Sequence, residues 1–160
     1  QATLKLFGDF TKQLFANDYM PVMLELDEGE DGPLIQELAK SQGGRIPNIR
    51  RMGSPMQLQQ RMLGLRAVVG MRLHAGVLSA TLGVPPFMVS YDPKVGAFAK
   101  MMDLPFAPSL ENLDGARLFQ LFAEFDKDHD KWQQRLVARV DELKSQAEKN
   151  LEVLSRVVPA

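Results

Sequence analysis

Short apolar runs alternate with stretches of helical periodicity along most of the chain. Runs rich in apolar residues and bounded by turn residues predict four strands, near residues 21–26, 46–52, 67–71 and 84–91. Apolar positions at helical spacing predict a helix near residues 3–16 and further helices between and after the strands. Such alternation of strand and helix is typical of an α/β fold built on a parallel sheet.

Capping residues and glycines predict where several helices begin and end. A polar cap followed by proline is typical of a helix start, and glycine of a helix end. The predicted starts are Ser54-Pro55, Asp92-Pro93, and Asp31 or Gly32 before Pro33, and the predicted ends are Gly43-Gly44 and Gly83. Around residues 46–52 the apolar content is thin, so the second strand has the weakest pattern.

From residue 109 onward the pattern is helical and contains one long amphipathic stripe. The stripe repeats at three- and four-residue spacing, as on one face of a helix, and consists of Trp132, Leu136, Val140, Leu143, Ala147, Leu151, Leu154 and Val158. We therefore predict a three-layer Rossmann-like parallel sheet flanked by helices in residues 1–108. Residues 109–160 are predicted to form a helical extension that packs on the sheet or on a partner.

Composition narrows the class of protein. Hydrophobic residues make up 45% of the chain and charged residues 24%, as in soluble globular domains. The net charge of −1 creates no strong attraction for nucleic acid, and the absence of cysteine excludes thiol-ligated metal. No apolar run has the length of a membrane span, and we expect a cytoplasmic protein.

Two polar clusters follow the third and fourth predicted strands. Arg72-Leu73-His74 comes after the first of these strands and Ser90-Tyr91-Asp92-Pro93-Lys94 after the second. Because the carboxyl ends of parallel strands lie along one edge of a sheet, the two clusters are expected to be neighbours, where such folds bind ligands. The guanidinium of Arg72 and the following helix N-terminus both suit a phosphate or a carboxylate, and His74 adds an imidazole that can act as an acid or bind a phosphate.

The second cluster supplies further ligand-binding groups. Ser90, Tyr91 and Lys94 offer hydroxyls and an ammonium for a second anion oxygen or a sugar hydroxyl. Asp92 is interpreted as a helix cap in preference to a base. The structural alternatives are that Arg72 pairs with a neighbouring carboxylate, that His74 only caps its helix and that Lys94 is a solvated surface residue.

Two acidic segments are interpreted without a metal. Residues 25–31 form a carboxylate-rich turn that we interpret as a solvated loop with one capping residue. Asp126, Asp128 and Asp130 resemble the opening of a calcium loop, but the loop's glycine and closing glutamate are replaced by Lys131 and Val137. His129, inside this segment, is predicted to be exposed and inert.

The segment VVGMRLHAGVLSATLGVPPFMVSYDPKV resembles the closing region of polysaccharide pyruvyl transferases, in which R-L-H and S-Y-D-P-K-V blocks recur. The resemblance covers roughly residues 18–104. It implies a glycosyltransferase-B-like enzyme in which two Rossmann-like halves face a cleft. Such an enzyme transfers a pyruvyl group from phosphoenolpyruvate to sugar hydroxyls as a ketal. It implies donor binding by Arg72, Leu73 and His74. The chemistry of imidazole makes His74 the candidate catalytic residue, either as an acid or as a ligand of the phosphate.

The resemblance further implies that this chain is the C-terminal, donor-side half of such an enzyme. We then expect it to bind phosphoenolpyruvate, with no cofactor, and not to turn over alone. The missing half would hold a sugar or lipid-linked saccharide acceptor used in cell-wall or exopolysaccharide biosynthesis. Phosphoenolpyruvate places the reaction in the cytoplasm, and a lipid-linked acceptor would bring the protein to the inner membrane face.

Two other functions stay open from the sequence. A glycosyltransferase half would bind a nucleotide sugar, although no residue pair clearly marks a ribose and base site. A non-catalytic module would instead dock a partner helix, or a second copy in a homodimer, through the stripe from Trp132 to Val158.

Overall fold

Helices and short strands alternate along the chain, as the sequence pattern predicts. The computed structural model describes residues 2–44, 46–50 and 54–157. The elements are α1 (Ala2–Ala16), β1 (Met23–Leu24), α2 (Glu28–Ser41), β2 (Asn48–Ile49), α3 (Pro55–Met62), β3 (Val68–Gly70), α4 (Leu73–Thr81), β4 (Pro86–Val89), α5 (Pro93–Met101), β5 (Phe106–Ala107), α6 (Gly115–Lys127) and α7 (His129–Val157). A short 3-10 turn, Leu110–Asn112, precedes α6. The mixed α/β class is confirmed.

The strands form two parallel groups. β1 pairs with β2, and β4 lies between β3 and β5 in a three-stranded sheet. Leu24 and Ile49, from the first group, pack against a core cluster that contains Val68 of the second, so the groups share a core. A parallel arrangement is thus confirmed, whereas one continuous three-layer sheet is not seen among the described residues.

One strand was not predicted from the sequence. β5 has only two residues, and pairing with β4 in the register Met88↔Phe106 and Val89↔Ala107 defines it. Pro105 and Pro108 flank these two residues, and proline argues against a strand, so the local sequence gives no strand signal. The second predicted strand is present as Asn48–Ile49, while Arg51 and Met52 of that prediction lie outside the described residues.

Most of the predicted helix boundaries are confirmed. Ser54 accepts a hydrogen bond from the Gln57 amide at 3.4 Å, with Pro55 as the first residue of α3. Gly83 follows α4 with φ of 71°, and the Val84 amide bonds back to the Ser79 carbonyl. Asp92 caps α5 in the same way as Ser54 caps α3.

The predicted start of α2 was wrong by several residues. The helix begins at Glu28, and Asp27 is its cap because the Asp27 carboxylate accepts from the amides of Gly29 and Glu30. Pro33 therefore lies inside the helix and not at its first position. Asp31, the predicted cap, makes other contacts, which are described with the candidate site.

The predicted C-terminal stripe packs on the α/β part through its first half. Leu136 is fully buried in a cluster with Met88 and Phe98, and Trp132 packs against the same cluster. By contrast, Ala147 is exposed. Leu151, Leu154 and Val158 lie outside the described side chains. The boundary at residue 108 stays a prediction. Neither the 29-residue α7 nor another helix in the described part of the chain is long and apolar enough to cross a membrane.

His129 is a correction to the sequence analysis, because it is buried and not exposed. Its relative exposure is 8%. The Nε2 atom lies 2.8 Å from the Arg66 carbonyl oxygen and Nδ1 lies 3.1 Å from an Asp130 carboxylate oxygen. The turn between α6 and α7 places this ring against the segment before β3. A local run of polar residues does not indicate a contact between segments so far apart in the chain.

Hydrogen bonds to the Asp126 carboxylate connect α6 to two segments that are distant in the chain. The Tyr19 hydroxyl donates to Asp126 Oδ2 at 2.8 Å, and Arg66 Nε donates to Oδ1 at 2.6 Å. Burial, followed by the interaction with the Asp126 carboxylate, raises the pKa of Tyr19 above its ordinary value of 10.0. The Asp126 side chain therefore connects the loop after α1 and the loop before β3.

We expect Tyr19→Phe to destabilise the fold by about 1.5–3 kcal/mol at neutral pH, because it removes one hydrogen bond to a charged carboxylate. Since the pKa of Tyr19 is raised on folding, its stabilising contribution is fully present below about pH 10 and is lost as the pH rises through the raised value. Urea unfolding at neutral and alkaline pH measures both effects. The difference between wild type and Tyr19→Phe should shrink at alkaline pH. Tyr91→Phe, at a tyrosine that is 52% exposed, is the control. Equal behaviour of both variants would contradict the prediction.

Candidate functional site

The turns after β3 and β4 lie side by side at the carboxyl end of the sheet. In the parallel register Gly70 pairs with Met88, so Arg72 and Ser90 each stand two residues beyond the same pair. The register therefore places the two polar clusters at one edge. Arg72 is the N-cap residue of α4, and Ser90 stands two residues before Asp92, the N-cap of α5.

A third turn joins this edge through Arg72. Its Nε donates to Asp31 Oδ1 at 2.9 Å, and its Nη2 donates to Glu30 Oε2 at 2.6 Å. Both carboxylates lie in the first turns of α2, directly after β1, so Arg72 connects the ends of β1 and β3. The structural alternative that Arg72 pairs with a neighbouring carboxylate is what the structure shows.

The carboxylates of Asp31 and Glu30 differ in their hydrogen bonds and in their exposure to solvent. Asp31 Oδ2 accepts from the amides of Leu26 at 3.1 Å and Asp27 at 2.9 Å, and its side chain is 18% exposed. The Glu30 side chain is 70% exposed. The hydrogen bond to Glu30, reinforced by the charge of Asp31, raises the pKa of Arg72 above its ordinary value, so the guanidinium stays charged. Asp31 is thus a fixed support, whereas Glu30 is an exposed contact.

Sequence reasoning missed the role of this acidic turn. Residues 25–31 were interpreted as a solvated loop with one capping residue, and Asp27 is indeed such a cap. The signal that was present is charge complementarity, because an acidic turn follows one parallel strand and an arginine follows another. The separation of 41 residues between Asp31 and Arg72 hides that signal from any local pattern.

The N-terminus of α4 is open towards solvent at this edge. Arg72 has an extended backbone, with φ of −81° and ψ of 128°, and no side chain caps the first turn. At α5, in contrast, the Asp92 carboxylate accepts from the Lys94 amide at 2.9 Å. The amides of Ala75 and Gly76 bond back to the Arg72 carbonyl. The two amides before them and the positive dipole end of α4 are therefore available to an anion, while the first amides of α5 are partly satisfied.

His74 and Leu73 face in different directions. The His74 side chain is exposed on the first turn of α4, and it makes no hydrogen bond to another described residue. The Leu73 side chain packs against the core cluster that contains Met88 and Phe98. Of this pair, only His74 has a side chain free to contact a ligand, so Leu73 would contact one through its backbone amide.

The second turn is more open than the first. Tyr91 is 52% exposed and the Lys94 side chain 62% exposed, with the Lys94 ammonium 3.5 Å from Asp92 Oδ2. Ser90 is partly buried, and its Oγ lies beside Gly96 of α5. The interpretation of Asp92 as a cap is confirmed.

A groove and the arrangement of possible metal ligands are the other features of the described part that bear on the choice of site. A groove of about 480 Å³ lies between α5 and α7, bordered by Lys100, Trp132 and Arg135, and none of the predicted site residues lines it. Within residues 2–44, 46–50 and 54–157, no group of three or more histidine, aspartate or glutamate side chains is arranged to hold a metal ion. The open α4 N-terminus with Arg72 and His74 therefore remains the candidate site.

Comparison with protein families places the chain. A family model described as polysaccharide pyruvyl transferase matches residues 5–93, which is more than half of the 160 residues. The chain belongs to the polysaccharide pyruvyl transferase family. No significant match was found among the curated proteins or among the solved structures.

The pyruvyl transferase match covers the elements that build the candidate site. It runs from α1 through β4 to Pro93 and contains Arg72, His74, Ser90 and Tyr91, as well as Leu73. Lys94 lies one residue beyond it, and α6 and α7 lie outside. The match thus includes the acidic turn that holds Arg72, the first motif turn and the second motif turn as far as Pro93.

Proposed function

We propose that this chain binds phosphoenolpyruvate and forms the donor side of a pyruvyl transferase that builds pyruvate ketals on saccharides. The observation that carries the proposal is an arginine at an uncapped helix N-terminus inside the family match. Phosphoenolpyruvate carries one phosphate and one carboxylate. Arg72, the first amides of α4 and His74 supply donors for both anionic groups without a metal.

The reaction has a defined balance of bonds and protons. A proton adds to the methylene carbon of phosphoenolpyruvate, which makes the neighbouring carbon electrophilic. Two sugar hydroxyl oxygens form bonds to that carbon, and the bond from it to the phosphate oxygen breaks. Of the two hydroxyl protons released, one balances the proton added to carbon and the other leaves with phosphate. Arg72 and the helix end would hold the charge that the departing phosphate carries.

His74 is the candidate proton donor of this proposal. Its ring is exposed at the same helix end, and imidazole is the side chain best suited to general acid catalysis near neutral pH. The same position also allows it to bind the phosphate. Ser90, Tyr91 and Lys94, on the neighbouring turn, would contact the remaining oxygens of the donor or a hydroxyl of the sugar.

The other half of the reaction needs a saccharide site. In this proposal the chain is the donor-side half of a glycosyltransferase-B-like enzyme, and the facing half binds a sugar or lipid-linked saccharide of a cell-wall or exopolysaccharide pathway. The protein would work in the cytoplasm, where phosphoenolpyruvate is made, and a lipid-linked acceptor would bring it to the inner membrane face. No cofactor is required beyond the donor substrate.

Titration calorimetry with phosphoenolpyruvate, and separately with a uridine diphosphate sugar, tests the proposal. We expect heat of binding from phosphoenolpyruvate and none from the nucleotide sugar at the same concentration. Preference for the nucleotide sugar would move the protein to the glycosyltransferases. Silence with phosphoenolpyruvate would contradict donor binding by this chain.

His74→Ala should weaken phosphoenolpyruvate binding by about 3- to 10-fold, the size of one lost hydrogen bond. His74→Gln, which can still donate a hydrogen bond, should retain much of the affinity. Equal affinity of the wild type and His74→Ala would remove His74 from the site.

A further inference from the structure

We propose that Glu30 is a carboxylate placeholder on the anion-binding side of Arg72, which the donor displaces, and that Asp31 positions the guanidinium. This inference rests on the proposed function, because it names what the donor must displace. The observation behind it is that a single arginine at the candidate site contacts two carboxylates with opposite degrees of anchoring.

Asp31 has the anchoring of a support. One of its oxygens accepts from two backbone amides at the end of β1, and the other accepts from Arg72 Nε at 2.9 Å. With both oxygens engaged and only 18% of the side chain exposed, the carboxylate has little freedom to turn. Its Oδ1 also lies 2.9 Å from Arg72 Nη2, so Asp31 fixes the guanidinium through two of its nitrogens.

Glu30 has the anchoring of a replaceable ligand. Its Oε2 lies 2.6 Å from Arg72 Nη2, and in the described part of the chain its side chain makes no other hydrogen bond. The side chain is 70% exposed, so rotation away from Arg72 brings it into water. Exposed ion pairs of this kind are weak, because solvent screens them.

The chemistry of the donor matches the group it would replace. A carboxylate of phosphoenolpyruvate, or one edge of its phosphate, can accept from the same guanidinium nitrogen as Glu30 does. Asp31 and Glu30 together carry one negative charge more than Arg72 neutralises. An incoming anion is repelled while Glu30 stays in place, and it is paired once Glu30 has moved out.

Calorimetric titration of the whole chain at low ionic strength tests both assignments, with phosphoenolpyruvate and inorganic phosphate as probes. Glu30→Gln should bind both anions about 1.5- to 5-fold more tightly than wild type, the size of an exposed ion pair. Glu37→Gln removes the same charge from an exposed position farther along α2 and should leave the affinity unchanged. In an Arg72→Gln background there is no guanidinium for Glu30 to occupy, so Glu30→Gln should raise the affinity less than it does in the wild-type background.

Asp31 is tested by the sign of its effect. If Asp31 acted only through its charge, Asp31→Asn would tighten anion binding as Glu30→Gln does. A positioning role predicts the opposite, a loss of about 3- to 10-fold, because Arg72 loses a charge-assisted hydrogen bond that orients it. The melting temperature of each variant shows whether it is folded, and the Glu30 variants decide the placeholder if Asp31→Asn does not fold.

The outcomes distinguish failure of the placeholder from failure of the proposed function. Equal affinity of Glu30→Gln and Glu37→Gln overturns the placeholder even where phosphoenolpyruvate binds well. Binding of phosphate without phosphoenolpyruvate overturns the proposed function alone, and the phosphate titrations then decide the placeholder. Absence of binding for both anions, in wild type and in Glu30→Gln, overturns both.

Discussion

Replacing Arg72 with alanine should weaken phosphoenolpyruvate binding by about 10- to 100-fold, which is the size expected for hydrogen bonds to a charged group. The substitution removes the guanidinium at the α4 N-cap and leaves the Asp31 and Glu30 carboxylates without their shared partner. Those two charges would then repel the donor. Titration calorimetry of wild type and variant measures the change.

Arg61→Ala is the matched control for this variant. Arg61 is exposed in the last turn of α3, away from the strand-end edge, and its removal changes the net charge by the same amount. Its affinity for phosphoenolpyruvate should equal that of the wild type. If both variants lose affinity equally, the effect is one of net charge and Arg72 is not a donor ligand. The melting temperature of Arg72→Ala shows whether the variant is folded, so that a loss of binding is not confused with unfolding.

Phe122→Ala should destabilise the fold by about 3–5 kcal/mol, the usual cost of removing a buried aromatic side chain. Phe122 is 5% exposed and lies at the centre of an aromatic cluster. Its ring centroid is 5.9 Å from Phe10 of α1, 5.9 Å from Phe87 of β4 and 5.5 Å from Tyr19. The substitution leaves a cavity where α6, α1 and the sheet meet, and each of these rings loses an edge-to-face partner.

Urea unfolding at neutral pH measures this loss, with Glu124→Ala as the control on the same helix. Glu124 is exposed, so its substitution should change the free energy of unfolding by no more than about 0.5 kcal/mol. A similar small effect of Phe122→Ala would mean that α6 contributes little to the core. In that case the helices after residue 109 would fold independently of the α/β part, and the buried face of α1 would pack against another element.

Local sequence signals determined the element order and several boundaries. The caps at Ser54 and Asp92 and the glycine end at Gly83 are correct, because a cap is a hydrogen bond between residues two or three positions apart. The start of α2 was misplaced because two aspartates near it could each cap the helix. Asp27 is the cap, and Asp31 instead accepts from Arg72, 41 residues away in the chain. β5 has no local signal because its pairing with β4 alone defines it.

The sequence by itself determined that polar residues at two strand ends lie on one edge and that Arg72 and His74 precede or open the same helix. It did so because parallel strands share a direction and motif residues are consecutive. Only the tertiary structure decided that Glu30 and Asp31 hold Arg72, that Leu73 packs into the core and that His129 is buried. Each of these depends on segments far apart in the chain, whose approach is decided by packing and not by any local pattern.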